Sequence, residues 1–408
     1  MGLSSGQRKN IWRLGASMTK IEWTEATWNP IVGCSIVSPG CTNCYAMKMA
    51  ARIERMSPSL AHYRGLTQPS KAGPVWTGKV ALASEHVLTE PLRRRKPTMY
   101  FVNSMGDLFH EDVPDGWIAY VWSIMMQCPQ HTFQVLTKRS GRMRAWIDLW
   151  NDLTGDTDPM EFKNARGPDA VRKAHPSGRG LLFADYLDVL LHLAGGKVPD
   201  GAAWPTFDWM HGWKYWPSVP PNIWLGVSAE RQQEADARIP DLLATPAAVR
   251  FVSAEPLLGP VDFTRIGDCR GPHDAIGADL ATSFDETLDW IIVGGESGPG
   301  ARPMHPDWAR SIRDQCQAAD VAFFFKQWGE WAPGPRHPVG SEAGSMTAMT
   351  CVSSTERRNV GRKSWLAGCG DHSIPLDRVG KARAGRRLDG RTWDEMPATA
   401  AQRVKEPV

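Results

Sequence analysis

Three cysteines, Cys34, Cys41 and Cys44, fall within eleven residues of one loop. The segment runs Trp28-Asn29-Pro30-Ile31-Val32-Gly33-Cys34 and, four residues further on, Pro39-Gly40-Cys41-Thr42-Asn43-Cys44-Tyr45-Ala46, a Cys-x6-Cys-x2-Cys spacing. Three thiolates on one short loop can surround a metal ion or a cluster. Pro39 and Gly40 supply a turn that folds the loop back, and Gly33 lets backbone approach the sulfurs closely. A helix expected from Tyr45 onward would set its N–H dipoles beside anionic sulfur. Three chemistries compete. A zinc site wants a fourth Cys or His at matching spacing. Here His62 is distant, and Cys128, Cys269, Cys316, Cys351 and Cys369 are scattered. Inert buried thiols pack well as small apolar groups, but three of them amid Gly and Pro in one loop fit that reading poorly. A [4Fe–4S] cluster on three thiolates leaves one iron open to an outside ligand, which is a catalytic rather than a structural arrangement.

The elements that must position this loop alternate between short apolar strands and helical stretches. Strands are expected at 99–102, 133–136, 223–227, 249–253, 290–293 and 321–325, with a weaker first strand at 31–32 leading into the cysteines. Helices are expected at 114–127, 139–150, 229–243 and 306–319. Near-continuous apolar strands alternating with helices imply a parallel sheet covered on both faces, either doubly wound or closed into a full or partial (β/α) barrel. Each strand ends in polar residues: Asn103-Ser104-Met105-Gly106-Asp107, Thr137-Lys138-Arg139, Ser228-Ala229-Glu230, Ser253-Ala254-Glu255, Gly294-Gly295-Glu296-Ser297 and Lys326-Gln327. Six similar ends favour a barrel or partial barrel, in which they would converge on the C-terminal rim. Residues 1–17 read as a flexible N-terminal extension and 18–332 as the barrel, with insertions at 151–221 (holding an apolar helix at 181–193) and 268–288. Residues 333–408 read as an irregular, basic C-terminal extension docked on the barrel.

The chain has 408 residues, 42% of them hydrophobic and 22% charged, with a formal net charge of +3. This composition suits a packed globular protein and argues against a disordered chain or a coiled coil. No apolar run is long enough for a membrane span. The lack of an apolar N-terminal run and the uneven cysteine spacing argue for a reduced, cytoplasmic setting. Many of the 19 Trp lie in loops beside Pro and Gly, where they pack satellite cores or, less often, stack on bases. Basic runs occur at 93–96, 138–144, 357–363 and 381–391. Each alone reads as a solvated face; together they suggest a nucleic-acid surface.

Asn-Pro-x-x-Gly-Cys followed by Gly-Cys-x-x-Cys-Tyr-Ala resembles the opening of radical S-adenosylmethionine (radical-SAM) enzymes, the spore-photoproduct-lyase-like group above all, with six residues in the first gap where the usual pattern has three. The chain is more similar still to a phage-encoded radical-SAM-like family found beside three-Cys-motif partner proteins. That similarity is carried by 20–25, the cysteine loop, 103–110, 136–139, 253–260, 294–303, 325–329 and 385–391. It implies a partial (β/α) barrel of radical-SAM type, a [4Fe–4S] cluster on Cys34, Cys41 and Cys44, and S-adenosylmethionine on the open iron. Reductive cleavage would then yield a 5′-deoxyadenosyl radical, with the protein positioning the groups and excluding water. It also implies an electron donor of flavodoxin or ferredoxin type and a three-Cys-motif partner protein. A nucleobase in DNA or RNA is the substrate class the lyase-like loop and the basic runs suggest, for modification or lesion repair.

The strand-end residues are assigned on this frame. Asn103, Ser104 and Asp107, after the second strand, are candidates to contact the S-adenosylmethionine amino group, with a helix cap as the structural alternative for Asp107. Lys138 is a candidate for the methionine carboxylate, and Ser228, Glu230 and Ser253 for further cofactor contacts. Glu255, Glu296 and Lys326 are candidates for catalysis, the two carboxylates as general acid/base groups and the lysine as a rim cation. The alternative for either lysine is a salt bridge to Glu230, Glu255 or Glu296. Gly294-Gly295-Glu296 matches a Gly-Gly-Glu motif but follows the sixth strand rather than the second, so the motif's amino-group role is not carried over. Asp107 with His110 is a weaker second metal site. Two non-radical readings stand beside this one: a non-catalytic iron–sulfur binding or regulatory module, and a zinc protein with a distant fourth ligand.

Overall fold

In a computed structural model the described residues are 21–57, 60–155, 220–268, 271–277, 286–333, 358–359, 364–367 and 374–397. Seven strands form the main sheet: β1 (Ala26–Trp28), β2 (Met99–Val102), β3 (Thr132–Thr137), β4 (Ile223–Ser228), β5 (Arg250–Ala254), β6 (Trp290–Gly294) and β7 (Ala322–Gln327). They are hydrogen-bonded in the order β1-β2-β3-β4-β5-β6-β7, and the β1–β2, β2–β3, β5–β6 and β6–β7 pairs are parallel. Strand order follows chain order without the reversal that defines a doubly wound sheet. The chain therefore has the mixed α/β fold of a partial (β/α) barrel.

Burial explains why these segments are strands. Every residue of β4, β5 and β6 is buried, with no alternation of polar and apolar faces, as a parallel sheet covered on both sides requires. Helices follow the strands: α1 (Tyr45–Met56), α2 (Asp115–Met126), α3 (Ser140–Gly155), α4 (Gln232–Ala244) and α5 (Pro306–Ala318). In α5 the His305 side chain accepts a hydrogen bond from Asp307 N, Pro306 takes the first turn, and Trp308, Ala309, Ile312 and Cys316 turn inward, one apolar stripe at helical spacing.

The chain divides into two compact units: Met1–Ser35, Ala46–Leu225 and Ala244–Ala248 in the first, and Ile36–Tyr45, Gly226–Leu243 and Val249–Val408 in the second. In the second unit, the edge of β7 is covered by the C-terminal segment, where Phe325 N donates to Trp393 O at 2.9 Å. This spends the backbone groups an open edge would expose. Trp331, Ala301 and Leu376 form a satellite core, with Trp331 Nε1 donating to Ala301 O at 2.8 Å.

Two expectations change. Ile31–Val32 is not the first strand of the sheet: it pairs antiparallel with Ala81–Leu82, and Ala26–Trp28 takes the edge position beside β2. Pro30 separates the two, because it has no N–H to extend a ladder. The C-terminal region is not irregular throughout. Trp331–Pro333, Ile374–Arg378, Ser364–Ala367 and Arg358–Asn359 form a four-stranded sheet, in strands too short for periodicity to reveal. A two-stranded hairpin, Ile266–Asp268 with Gly271–His273, occupies the start of the 268–288 insertion. Most of the 151–221 insertion, including the helix expected at 181–193, lies outside the described residues, as do Cys269, Cys351 and Cys369. Among the described residues, no helix is long and apolar enough to cross a membrane.

Candidate functional site

In the first unit the residues around Cys34 are fixed from the loop after β2. Asn29 Oδ1 accepts from Ser104 Oγ and from Met105 N, both at 3.0 Å, so the Asn of Asn-Pro-x-x-Gly-Cys ties the approach to the cysteine to the end of β2. Gly33 N donates to Met105 O at 3.0 Å. Gly33 has φ +95°, and a Cβ there would lie 2.1 Å from Lys79 O. Only glycine fits both demands.

Cys34 is half-buried and free of a disulfide. Its Sγ accepts from Arg139 Nη1 at 3.4 Å. The same guanidinium donates to Asp107 Oδ2 at 3.1 Å and to Ser35 Oγ at 2.7 Å, while its Nε points at Glu111 Oε1 at 3.3 Å. Burial alone would weaken the charge on Arg139. Asp107, the Cys34 sulfur and Glu111 outweigh it and raise the guanidinium pKa above its ordinary range. Asp107 is buried, and its oxygens accept from Thr137 Oγ1 at 2.7 Å, Phe109 N at 3.0 Å and Lys138 N at 3.1 Å as well as from Arg139. It is a brace for Arg139 rather than a surface helix cap. His110 is also buried, and its Nδ1 accepts from Asp112 N at 3.1 Å. The ring proton therefore sits on Nε2, 2.9 Å from Ser35 Oγ. Burial, then the Arg139 charge, lower the His110 pKa and favour this neutral ring.

In the second unit the loop turns through a single 3-10 turn at Pro39–Cys41, with Cys41 N donating to Ser38 O at 2.9 Å and Cys44 N to Cys41 O at 3.2 Å. Cys41 is buried and Cys44 half-buried, both without a disulfide. Ser38 Oγ lies 3.8 Å from Cys41 Sγ and donates to Glu230 Oε1 at 2.8 Å. Glu230, two residues past β4, is fully buried and paired with Arg238 of α4 at 3.1 Å. Gly40 packs against that carboxylate so closely that a Cβ would fall 2.2 Å from Oε1. A second strap comes from beyond β6. Arg302 grips Glu296 through Nε at 2.8 Å and Nη2 at 2.6 Å, and its Nη2 also donates to Pro39 O at 2.9 Å. A third is Asn43 Nδ2 to Gly300 O at 2.9 Å.

Elsewhere in the second unit, Lys326 Nζ meets Glu255 Oε2 at 3.1 Å, and Ser253 Oγ donates to the same oxygen at 3.3 Å. The pair reaches from β7 to β5 across the intervening β6. Gly294 makes this geometry available, since a Cβ there would lie 2.2 Å from Glu255 Oε1.

The structure thus distributes the residues expected from sequence among three arrangements. Asp107 and the Lys138 backbone serve the Cys34 arm, Glu230 and Glu296 the Cys41–Cys44 arm, and Ser253, Glu255 and Lys326 form a separate strand-end cluster. Ser228 contributes its carbonyl to Arg238 Nη1 at 2.6 Å. Asn103 takes a left-handed conformation, φ +58°. Its Oδ1 is occupied by Ile31 N at 3.2 Å, and its buried Nδ2 has no hydrogen-bond partner among the described residues. The atom left open is a donor, which suits an oxygen rather than an amino group. Arg238, Arg302, Ser38 and Asn43 are the contributors the strand-end rule passed over, and Arg139, which it included, received no role. The rule flagged Lys138 of the Lys138-Arg139 pair, whereas the Arg139 side chain is the one that reaches Cys34.

Some arginines of the basic runs have partners within the protein, while Arg95, Lys96, Lys381, Arg383 and Arg387 are exposed. Arg93 donates to Thr89 Oγ1 and His86 O, Arg94 lies near Glu90, Arg142 meets Asp115 and Arg144 meets Asp148, and Arg386 pairs with Asp394. The side chains of 357–363 lie outside the described residues.

Among the described residues, no three His, Cys, Asp or Glu side chains form a ready metal-holding group. Each arm of the cysteine loop nevertheless offers thiols, the kind of donor that binds iron and zinc. In the first unit Cys34, in no disulfide, receives an N–H from a permanent cation, and in the second unit Cys41 and Cys44, also in no disulfide, sit on a turn where Cys41 has a hydroxyl beside it. Such hydrogen bonds to sulfur are among the groups that tune a cluster.

The chain is similar in fold, remotely, to a solved structure of spore photoproduct lyase complexed with dinucleoside spore photoproduct. The sequences are 8% identical over 92% of this chain and 74% of that one, with a TM-score of 0.30, too low to carry an argument about chemistry. No curated protein matches the sequence. A family model described as "Protein of unknown function (DUF5131)" matches residues 18–397, and with nearly the whole chain covered, the protein belongs to the DUF5131 family.

Proposed function

We propose that the chain is a radical-SAM-type enzyme whose Cys34, Cys41 and Cys44 hold one [4Fe–4S] cluster. The observation that carries the reading is the loop itself: three disulfide-free thiols in eleven residues, one of them hydrogen-bonded by a buried guanidinium. When bound, the cluster and S-adenosylmethionine supply one-electron cleavage of a sulfonium carbon–sulfur bond. The chain's own residues hold and shield. Arg139 sets a fixed positive charge against the Cys34 sulfur, and Asp107 orients it with both oxygens committed. Glu230 with Arg238, and Glu296 with Arg302, fix the turn that carries Cys41 and Cys44. Asn103 Nδ2 offers a buried donor at the end of β2 for a ligand oxygen. Glu255 and Lys326 are assigned to the substrate side, as a salt-bridged carboxylate and ammonium 3.1 Å apart.

Anaerobic reconstitution with iron and sulfide tests the reading. Broad absorption near ~400 nm, together with 5′-deoxyadenosine formed from S-adenosylmethionine under dithionite, is the expected result. Stoichiometric zinc without sulfide rules the reading out. A cluster that forms without 5′-deoxyadenosine formation reduces the protein to a non-catalytic iron–sulfur module.

A further inference from the structure

Six large apolar side chains are exposed among the described residues: Ile36, Val37, Tyr45, Met49, Met56 and Met396. Five of them fall within the 21 residues from Ile36 to Met56, on the cysteine loop and on the helix α1 that follows Cys44 directly. Large apolar side chains gathered on one exposed stretch mark an interaction surface more than scattered ones do. On α1 they have a geometry. Tyr45, Met49, Arg52 and Met56 occupy positions i, i+4, i+7 and i+11, a single stripe of the helix, with Tyr45 54%, Met49 40% and Met56 66% exposed. The opposite face carries the buried Ala46, Met47 and Ala50.

The charge beside this stripe has one sign. Lys48 and Arg52 flank the apolar residues and Arg55 follows, all three exposed. Among the described residues none of the three is paired with a carboxylate. Arg52 Nε lies on Met56 Sδ at 3.2 Å, and Arg55 Nε donates to Ala51 O at 3.1 Å. The one acid of the helix, Glu54, is turned to Gly65 N at 2.9 Å. By contrast, Arg94, Arg142, Arg144, Arg310 and Arg386 have carboxylates of their own. An apolar stripe edged by uncompensated cations complements a protein surface with an apolar centre and an acidic rim. A nucleic acid would call instead for stacking aromatics along a basic groove, and this stripe has one aromatic residue and two methionines.

We propose that this face of α1 is the docking site for an acidic one-electron-donor protein that reduces the cluster held by the adjoining cysteine loop. The inference rests on the cluster reading above. Reductive cleavage consumes an electron from outside, and the stripe begins one residue after Cys44. In the docked step one electron passes from the donor's reduced flavin or iron–sulfur centre to the cluster. The donor is oxidised by one electron, the cluster is reduced by one, and no bond is made or broken.

The test uses the full chain with its reconstituted cluster, with reduced flavodoxin as the probe protein and dithionite as the small-molecule control. Bleaching of the cluster is followed anaerobically in a stopped-flow instrument. The wild-type rate with flavodoxin should fall as salt is raised. The double variant Lys48→Glu/Arg52→Glu should lose on the order of tenfold or more of that rate while keeping the wild-type dithionite rate and the wild-type melting temperature. A variant reduced by flavodoxin as fast as wild type overturns the proposal. So does a wild-type cluster that dithionite reduces and flavodoxin does not. Loss of oligonucleotide binding, or of self-association, on the same substitutions with the flavodoxin rate unchanged gives the surface to a nucleic acid or to a second copy and likewise overturns it. A chain that takes up no cluster fails the underlying reading instead, and takes the donor with it.

Discussion

The two arms of the cysteine loop are held by the same kind of device, an arginine paired with a buried carboxylate, but the arginines do different things. On the Cys34 arm, Arg139 donates to the sulfur itself, and Asp107 braces the guanidinium. On the Cys41–Cys44 arm, Arg302 grips the Pro39 carbonyl, while Arg238 holds the Glu230 that receives Ser38. One arm acts on the electronics of the Cys34 sulfur, the other on the conformation of the turn that presents Cys41 and Cys44. Removing a pair should therefore disturb different properties on the two sides.

The largest effect should come from the sulfurs. Replacing Cys34, Cys41 or Cys44 by Ala should each abolish the ~400 nm absorption after reconstitution, whereas Cys316→Ala, in the core of α5, should leave it intact. Retention of a full cluster by any one of the three variants would remove that cysteine from the set.

Next in size is the brace of the second arm. Glu230 is fully buried against Arg238, and breaking a buried ion pair by removing one partner typically costs about 3–5 kcal/mol. Arg238→Met should lower the denaturation free energy by about that amount in urea unfolding, leaving an unpaired carboxylate beneath the turn. A loss below about 1 kcal/mol, the range of a surface pair, would mean that the pair carries no such burden.

A smaller, more specific effect separates the arms. Arg139→Lys keeps a cation near Asp107 but removes the planar fork that reaches Cys34, Ser35 and Asp107 together. The cluster should still assemble, with a reduction potential shifted to more negative values in an EPR-monitored titration, because an N–H to sulfur stabilises the more negatively charged reduced state. Arg302→Lys should leave the potential unchanged. Equal shifts in both variants would erase the distinction between tuning and positioning.

The smallest effect sets the loop thiols apart from those of the core. Burial pushes the Cys128 thiol up to about 12 and raises Cys316 further. Both should resist iodoacetamide at pH 8 in the native, cluster-free protein and react only on unfolding, as read by peptide mass spectrometry. The sign for stability follows. In the unfolded chain these thiols ionise from about pH 9, their ordinary value, while in the folded chain they stay protonated. Their stabilising contribution is complete below that pH and declines as pH rises above it.

How far the sequence reveals this arrangement depends on the range of the interaction. The fully buried strands β4 to β6 are legible because their apolar runs need no partner to be recognised, and α5 because its stripe and its Pro start are local. The cysteine loop is legible for the same reason. The first strand is misplaced along the chain because β-branched Ile31-Val32 outscores Ala26-Thr27-Trp28 on local propensity, while Pro30 and the capture of Ile31 N by Asn103 decide the pairing. Arg139, Arg238 and Arg302 are not legible as site residues. Each looks like an ordinary surface cation until the fold brings it to Cys34, Glu230 or Pro39, and separations of 105 and 263 residues leave no periodic trace. The Lys326–Glu255 salt bridge is the alternative that strand-end polarity does allow for either lysine, but the role of Gly294 beneath it depends on which strand lies between.

Metal and acid-labile sulfide analysis of anaerobically prepared wild-type protein tests the central claim most directly. The expected result is about four iron and four sulfide per chain, lost together in Cys41→Ala. One zinc per chain with no sulfide, unchanged in Cys41→Ala, would contradict it.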